Sequence, residues 1–413
     1  MHQLADQVEN DITEQVKIVQ KIVEVNQRKV LEAFRNNQVS DSHFNPTTGY
    51  GYDDFGRDVL EAVYADVFGG EDALVRPQIV SGTHAITIAL FGLLRPNNEL
   101  LYITGKPYDT LEEVVGTRGN NNGSLRDFNI GYDAVDLTED GTVNWGEVQR
   151  KITYKTKVIG IQRSKGYADR PSFTIEEISE MVHFVKEINP NIIVFVDNCY
   201  GEFVETKEPL YVGADLIAGS LIKNPGGGIV RTGGYLVGTK QLIEQCAYRL
   251  TSPGLGKETG ASIGMLQEMF QGLFLAPHTV GEALKGAIFS SRFLASLGFH
   301  TTPAYDQMRT DLIQSVTFKT KEQMISFCQA IQRVSPVNAH VTPYPSPMPG
   351  YDNDVIMAAG TFIQGASLEL TADGPIRPPY TAYVQGGLTY AHVKIAIIEA
   401  VIALQEKGYL PKS

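Results

Sequence analysis

The feature that most constrains this chain is an alternation of strand and helix patterns between residues 75 and 240. Short apolar runs (VRPQIVSG, ELLYITG, KVIGIQRS, NIIVFVDNCYG, ADLIAGS and GGYLVGT) are interleaved with segments of helical spacing such as AITIALFGLL and FTIEEISEMVHFVKEINP. Strands in this order, with helices between them, build a mainly parallel sheet covered by helices, an α/β architecture. Ligands of such sheets bind beyond the carboxyl ends of the strands, so the residues that follow each run are the ones to weigh.

The flanking regions read differently. Residues 1 to about 38 carry Val and Ile at helical intervals among Glu, Gln and Lys; this arm packs either on its own domain or on a second subunit. Asn45 to Asp54 is a loop punctuated by Pro46 and two glycines, and Phe55 to Phe68 is a helix. A long apolar helix is expected from Val280 to Leu297. A smaller α/β region follows, with a helix around Ile325 to Val334, a Pro-rich loop and a terminal helix from His392 to Lys407. The expected division is an N-terminal helical arm (1–45), a large domain (46–285) and a small C-terminal domain (286–413).

At 413 residues the chain can bury more than one core, and its net charge of −12 disfavours a nucleic acid or an anionic membrane as partner. Cys199, Cys246 and Cys328 form no CxxC pair, and the eight histidines show no HxxxH spacing, so neither a disulfide scaffold nor a metal site is expected. The charged N-terminus and the lack of a run of about 20 apolar residues point to a cytoplasmic protein. GxGxxG after a first strand and the P-loop pattern are absent from the sequence.

Several chemistry-bearing residues stand after predicted strands. Asp197 follows IIVFV, where an ionised carboxylate is costly to bury without a cationic partner, although it also suits a turn cap. Lys223 leaves an apolar strand and enters a Pro-Gly-Gly-Gly loop. In isolation it reads equally as a solvated loop lysine, and as a buried one with a lowered pKa and a nucleophilic amine. Ser220 stands three residues before it, Arg231 eight after it and Asp197 26 before it. Ser81-Gly82-Thr83-His84 opens a helix whose free N–H groups suit either a phosphate or a plain cap. A lysine amine, a carboxylate for a ring nitrogen and a phosphate cradle are the parts that hold pyridoxal 5'-phosphate (PLP).

This set resembles the fold-type I PLP-dependent enzymes, in which an Asp at a strand end precedes a Ser-x-x-Lys. The resemblance implies a seven-stranded sheet in a large domain with a smaller C-terminal domain. It makes Lys223 the cofactor-bearing residue, Asp197 the partner of the ring nitrogen, Ser220 and Arg231 phosphate ligands together with Ser81, Gly82, Thr83 and His84, and Tyr200 a partner of the ring's phenolic oxygen. Tyr108, in GKPYDTLEEVVG, is similar to the tyrosine that stacks on the cofactor in cystathionine synthases and lyases, and would also serve as an acid at the leaving group.

A narrower likeness runs along nearly the whole chain. GYGYDDFGRDVLEAVYADVFG, VRPQIVSGTHAI, IQRSKGYADRPSFTI, FVDNCYGEFVE and SLELTADGPIRPPYTAYVQGGLTY resemble the bacterial family labelled methionine gamma-lyase-like or aluminium resistance protein. Where gamma-lyases carry YSRxxNPTRDxLE, this chain has Tyr50, Gly51 and Tyr52 and lacks the Arg. Tyr50 or Tyr52, more than Arg57, would then reach the phosphate of a neighbouring subunit. Arg377 is the first candidate for the substrate's α-carboxylate and Arg163 the second. The family implies a homodimer or homotetramer and elimination of a β- or γ-substituent, a thiol, from a sulfur amino acid. The same parts also serve transamination or aldol-type cleavage, and a catalytically inactive binding protein of this fold is the alternative of another class. The physiological substrate, the bond cleaved and any link to aluminium are not encoded in these motifs.

Overall fold

The structure, a computed structural model, describes residues 1–120, 122–168, 170–348 and 351–411. In chain order its elements are helices α1 (His2–Asp11), α2 (Thr13–Asn36) and α3 (Phe55–Phe68), strand β1 (Asp72–Arg76), α4 (Gly82–Leu93), β2 (Glu99–Tyr102), α5 (Asp109–Val115), β3 (Gly131–Ala134), α6 (Trp145–Lys151), β4 (Thr156–Gln162), α7 (Ile175–Ile188), β5 (Ile193–Asp197), β6 (Leu216–Ser220), β7 (Gly234–Gly238), α8 (Lys240–Leu250) and α9 (Leu266–Ser296). There follow β8 (His300–Thr302), β9 (Gln314–Thr317), α10 (Lys321–Arg333), β10 (Val355–Ala358), β11 (Thr371–Pro375), β12 (Thr381–Gln385) and α11 (Tyr390–Glu406).

Seven strands form one sheet in the order β1-β7-β6-β5-β4-β2-β3. Pairing is parallel from β3 across to β6, and β7 runs antiparallel to both β6 and β1. The reversal has a local cause. A parallel return needs a crossover, usually a helix, whereas the Pro-Gly-Gly-Gly segment after β6 turns the chain straight back. Strand periodicity divides the core. Phe195, Leu216 and Leu236 face the helices α4 and α8, whereas Val194, Val196, Ile217 and Val237 belong to the cluster that includes α3, α7 and α9. The second sheet is antiparallel, in the order β10-β11-β12-β9-β8, and packs against α10, which in turn packs on α11.

Two expectations are corrected. The N-terminal helical region is two helices broken at Ile12, and α2 packs along α9 of the same chain. The long helix begins at Leu266 rather than Val280, because Gly272 and Pro277 read as breaks but lie inside it. The glycines serve close packing. A Cβ on Gly281 would meet Val23 of α2 at 2.3 Å, and one on Gly272 would lie 2.5 Å from the carbonyl oxygen of Gly226. Residues 285 and 286, the expected division between the large and small domains, both lie within α9. Among the described residues no helix is long and apolar enough to cross a membrane.

Candidate active site

The last residues of β4, β5 and β6 are Gln162, Asp197 and Ser220. Gln162 lies in register with Asp197, so the carboxyl ends of three neighbouring strands open into one cavity of about 520 Å³. That volume suits a small molecule. Its walls take in Ser81, Gly82, Thr83, Tyr108, Asp197, Tyr200, Ser220, Lys223 and Arg377, residues from seven separate stretches of sequence.

Helix α4 aims its start at this point. Ser81 is its N-cap and accepts a hydrogen bond from the backbone N–H of His84 at 3.1 Å. Gly82 approaches β5 and β6 so closely that a Cβ there would lie 3.3 Å from both the Cys199 sulfur and the Ser220 side chain. The hydroxyls of Thr83 and Tyr108 hydrogen-bond at 2.8 Å, and the backbone N–H of Tyr108 donates to Gln162 Oε1 at 2.9 Å. The Tyr108 ring is thereby held from both ends. Burial, then the nearby Asp197, push its phenol well above the ordinary range, so it stays protonated at neutral pH.

Asp197 is 5% exposed and accepts from the Cys199 N–H at 3.1 Å. Burial raises its carboxyl, and Lys223 with the Cys199 hydrogen bonds opposes that rise without cancelling it. The Lys223 amine lies 3.9 Å from the centre of the Tyr200 ring. Tyr200 adopts a left-handed φ of 71°, unusual for an aromatic residue. The lowered pKa expected for Lys223 is corrected by its surroundings. Burial does disfavour its charged form, but Cys199, Tyr200, Asp197 and Tyr108 outweigh burial and hold the ammonium above the usual lysine range. The loop after Lys223 is pinned. A Cβ on Gly226 would lie 1.8 Å from the Leu221 carbonyl oxygen, and one on Gly227 would lie 2.3 Å from that of Gly272.

Other named residues fall outside the cavity of a single chain. Arg163 is fully buried against Glu205 (3.1 Å) and Glu208 (3.5 Å) and donates to Asn198, so it is spent on holding the loop after β5 rather than facing a ligand. Side-chain alternation beyond β4 explains this: Gln162 and Ser164 line the cavity and Arg163 between them points away. Arg231 is exposed and paired with Glu268 at 2.8 Å, so its guanidinium does not reach the cradle. His84 turns its ring back to accept from the N–H of Val80, and its own N–H is taken by Ser81. Tyr50 and Tyr52 are 72% and 52% exposed and stack on each other at 5.4 Å, away from the cavity. Arg377 lies at the mouth. It is exposed, its side chain takes no hydrogen bond or ion pair among the described residues, and its field falls on Asp109 opposite.

The motifs missed part of the wall. Lys165, Tyr167, Tyr351, Tyr383 and Gln385 line the side facing the small sheet. Lys165 is buried, with its ammonium 3.3 Å from Ser315 Oγ and 5.9 Å from the Tyr383 ring centre.

The donor set accommodates PLP on these grounds: a buried carboxylate next to a lysine, a tyrosine ring along one wall, and a helix start with hydroxyls in place of a phosphate-binding arginine. Comparison with known proteins gives the same direction. Residues 1–405 match the methionine gamma-lyase family. This chain belongs to that family. The protein YnbB of Bacillus subtilis is 69% identical over 404 residues, covering 98% of this chain and 96% of its own. A Listeria monocytogenes structure with the provisional name cystathionine beta-lyase involved in aluminum resistance is 63% identical, has a TM-score of 0.97 and covers 98% of this chain and 100% of its own. A Clostridium novyi structure, named a carbon-sulfur lyase involved in aluminum resistance, is 53% identical with a TM-score of 0.93, covering 97% and 94%. The fold is that of fold-type I PLP-dependent enzymes. A PLP-dependent protein of Escherichia coli shares it at 16% identity and a TM-score of 0.62, covering 93% of this chain and 97% of its own.

Proposed function

We propose that the cavity holds PLP on Lys223 and that the enzyme removes a sulfur-bearing substituent from the β- or γ-carbon of an amino acid. The observation that carries this reading is the convergence of Lys223, Asp197 and Tyr108 at the strand ends, beside the free start of α4. Asp197 would face the ring nitrogen, Tyr108 the ring itself, and Ser81, Gly82, Thr83 and Ser220 the phosphate. When bound, PLP draws electrons away from the substrate's α-carbon.

The chain's own residues supply the proton handling. The Lys223 amine takes the α-proton; once Asp197 is turned to a ring nitrogen, the amine loses an anionic neighbour that favours its charged form. Arg377 at the mouth binds the substrate carboxylate. Tyr108, protonated at neutral pH, gives its proton to the departing sulfur. The C–S bond breaks, and after uptake of one water the products are a thiol, ammonia and a 2-oxo acid.

The reading includes a second copy of the chain. Tyr50 and Tyr52 project from a loop fixed by Arg57, which donates to the carbonyl oxygens of Gly51 and Gly260, so an exposed aromatic pair is presented on rigid backbone. A neighbouring copy would cover it and receive a tyrosine hydroxyl at its phosphate, where Arg231 does not reach.

An amino-acid panel tests the reaction. With a thioether substrate, thiol, ammonia and 2-oxo acid should appear in equal amounts, and Lys223→Ala should abolish all three. Amino transfer without thiol release would replace elimination by another PLP chemistry.

A further inference from the structure

The small sheet turns a polar face to the cavity. In its register Asp373 lies opposite Tyr383 and Thr371 opposite Gln385. Tyr383 and Gln385 reach the cavity wall, and Asp373 lies behind them, 3% exposed. Gln385 Nε2 donates to Asp373 Oδ2 at 3.2 Å.

This bond fixes the polarity of the wall. An ionised carboxylate only accepts, so the Gln385 amide must turn its nitrogen to Asp373 and leave its carbonyl oxygen as the free end. That oxygen takes no hydrogen bond among the described residues, and Asp373 Oδ1 is likewise buried without a partner. Burial pushes the Asp373 carboxyl up to about 6, so it remains ionised at neutral pH. A methyl-ended side arm here would leave acceptors desolvated and unpaired, which is the situation that gives hydrogen-bonding sites their selectivity.

We propose that the Gln385 wall, oriented by Asp373, selects amino acids whose sulfur carries an arm ending in a hydrogen-bond donor, an ammonium above all. The proposal rests on the lyase reading of the same cavity. Lys165 stands at the same wall, so an arm ending in a carboxylate is the competing ligand.

Three matched ligands separate the cases: S-(2-aminoethyl)-L-cysteine, S-propyl-L-cysteine and S-carboxymethyl-L-cysteine. Thiol release by the PLP-loaded enzyme gives kcat/KM for each. Calorimetric titration of PLP-loaded Lys223→Ala gives affinity whether or not the C–S bond is ever broken. The aminoethyl ligand should lead the propyl ligand by about ten-fold or more in both readouts. Gln385→Leu and Asp373→Asn should collapse that lead while leaving propyl binding in place. Equal affinities, a lead for the propyl or carboxymethyl ligand, or no binding of any of the three overturns the proposal. An aminoethyl preference in affinity without thiol release upholds the wall and overturns the lyase reading instead.

Discussion

The Thr83 hydroxyl and the Tyr108 phenol lie 2.8 Å apart, joining the start of α4 to the residue that precedes α5. The bond couples the proposed phosphate cradle to the ring wall. Thr83→Val should leave the buried phenol short of a partner, a cost of about 1–3 kcal/mol, and weaken PLP binding roughly ten-fold. Thr83→Ser should bind almost as the parent does. Fluorescence titration with PLP checks both, and a valine variant that binds like the parent would contradict the coupling.

Gly272 of α9 supports Lys223 from behind. A Cβ there would lie 2.5 Å from the Gly226 carbonyl oxygen and 2.7 Å from Val230. Gly272→Ala should cost about 1–3 kcal/mol in urea unfolding, as overpacking does. Gly146 of α6, whose nearest neighbour in that sense is Asn144 Oδ1 at 4.0 Å, is the control. Gly146→Ala should be neutral or stabilise by up to about 1 kcal/mol.

Two arginines should separate cleanly. Arg377→Ala removes an exposed side chain at the mouth, so KM should rise ten-fold or more with stability within about 0.5 kcal/mol of the parent. Arg163→Ala leaves Glu205 and Glu208 without their buried cation. It should destabilise the fold by about 3–5 kcal/mol, while the folded fraction keeps its KM. A raised KM in folded Arg163→Ala would restore it as a substrate ligand.

These two residues also show what the sequence makes legible. The strands announce themselves as apolar runs bounded by glycine, and with them the positions of Asp197 and Lys223, because a carboxylate or amine at the end of such a run has few other places to be. Which way a side chain points beyond the strand end is harder. IQRS offers Gln162, Arg163 and Ser164 in succession, and only the pleat decides that the arginine turns away. Tyr383, Gln385 and Asp373 carry no local signal at all. They meet Lys165 and Tyr167 through contacts more than 200 residues apart in the chain, such as the Tyr383 hydroxyl donating to the Tyr167 carbonyl oxygen. The start of α9 was hidden for the opposite reason. Its glycines and Pro277 imitate a loop, and only the helices packed against it explain them.

Asp373 gives a pH dependence with a definite sign. Its folded pKa, about 6, lies above the ordinary aspartate value of 3.8. The folded state therefore favours the protonated acid, and the residue lowers stability increasingly as pH rises from about 4 through about 6. At neutral pH the cost is on the order of 3 kcal/mol. Asp373→Asn should therefore be more stable than the parent at pH 8, with the gap closing below pH 4. Denaturant midpoints across that range check it, and a pH-independent gap would contradict it.

The central claim is that Lys223 is the residue on which PLP is held. Borohydride reduction of the PLP-loaded protein, followed by peptide mass spectrometry, tests it directly. The account predicts one phosphopyridoxyl adduct, on the peptide carrying Lys223, and none in Lys223→Ala. An adduct on Lys165 instead, or a protein that takes up no PLP, would contradict it.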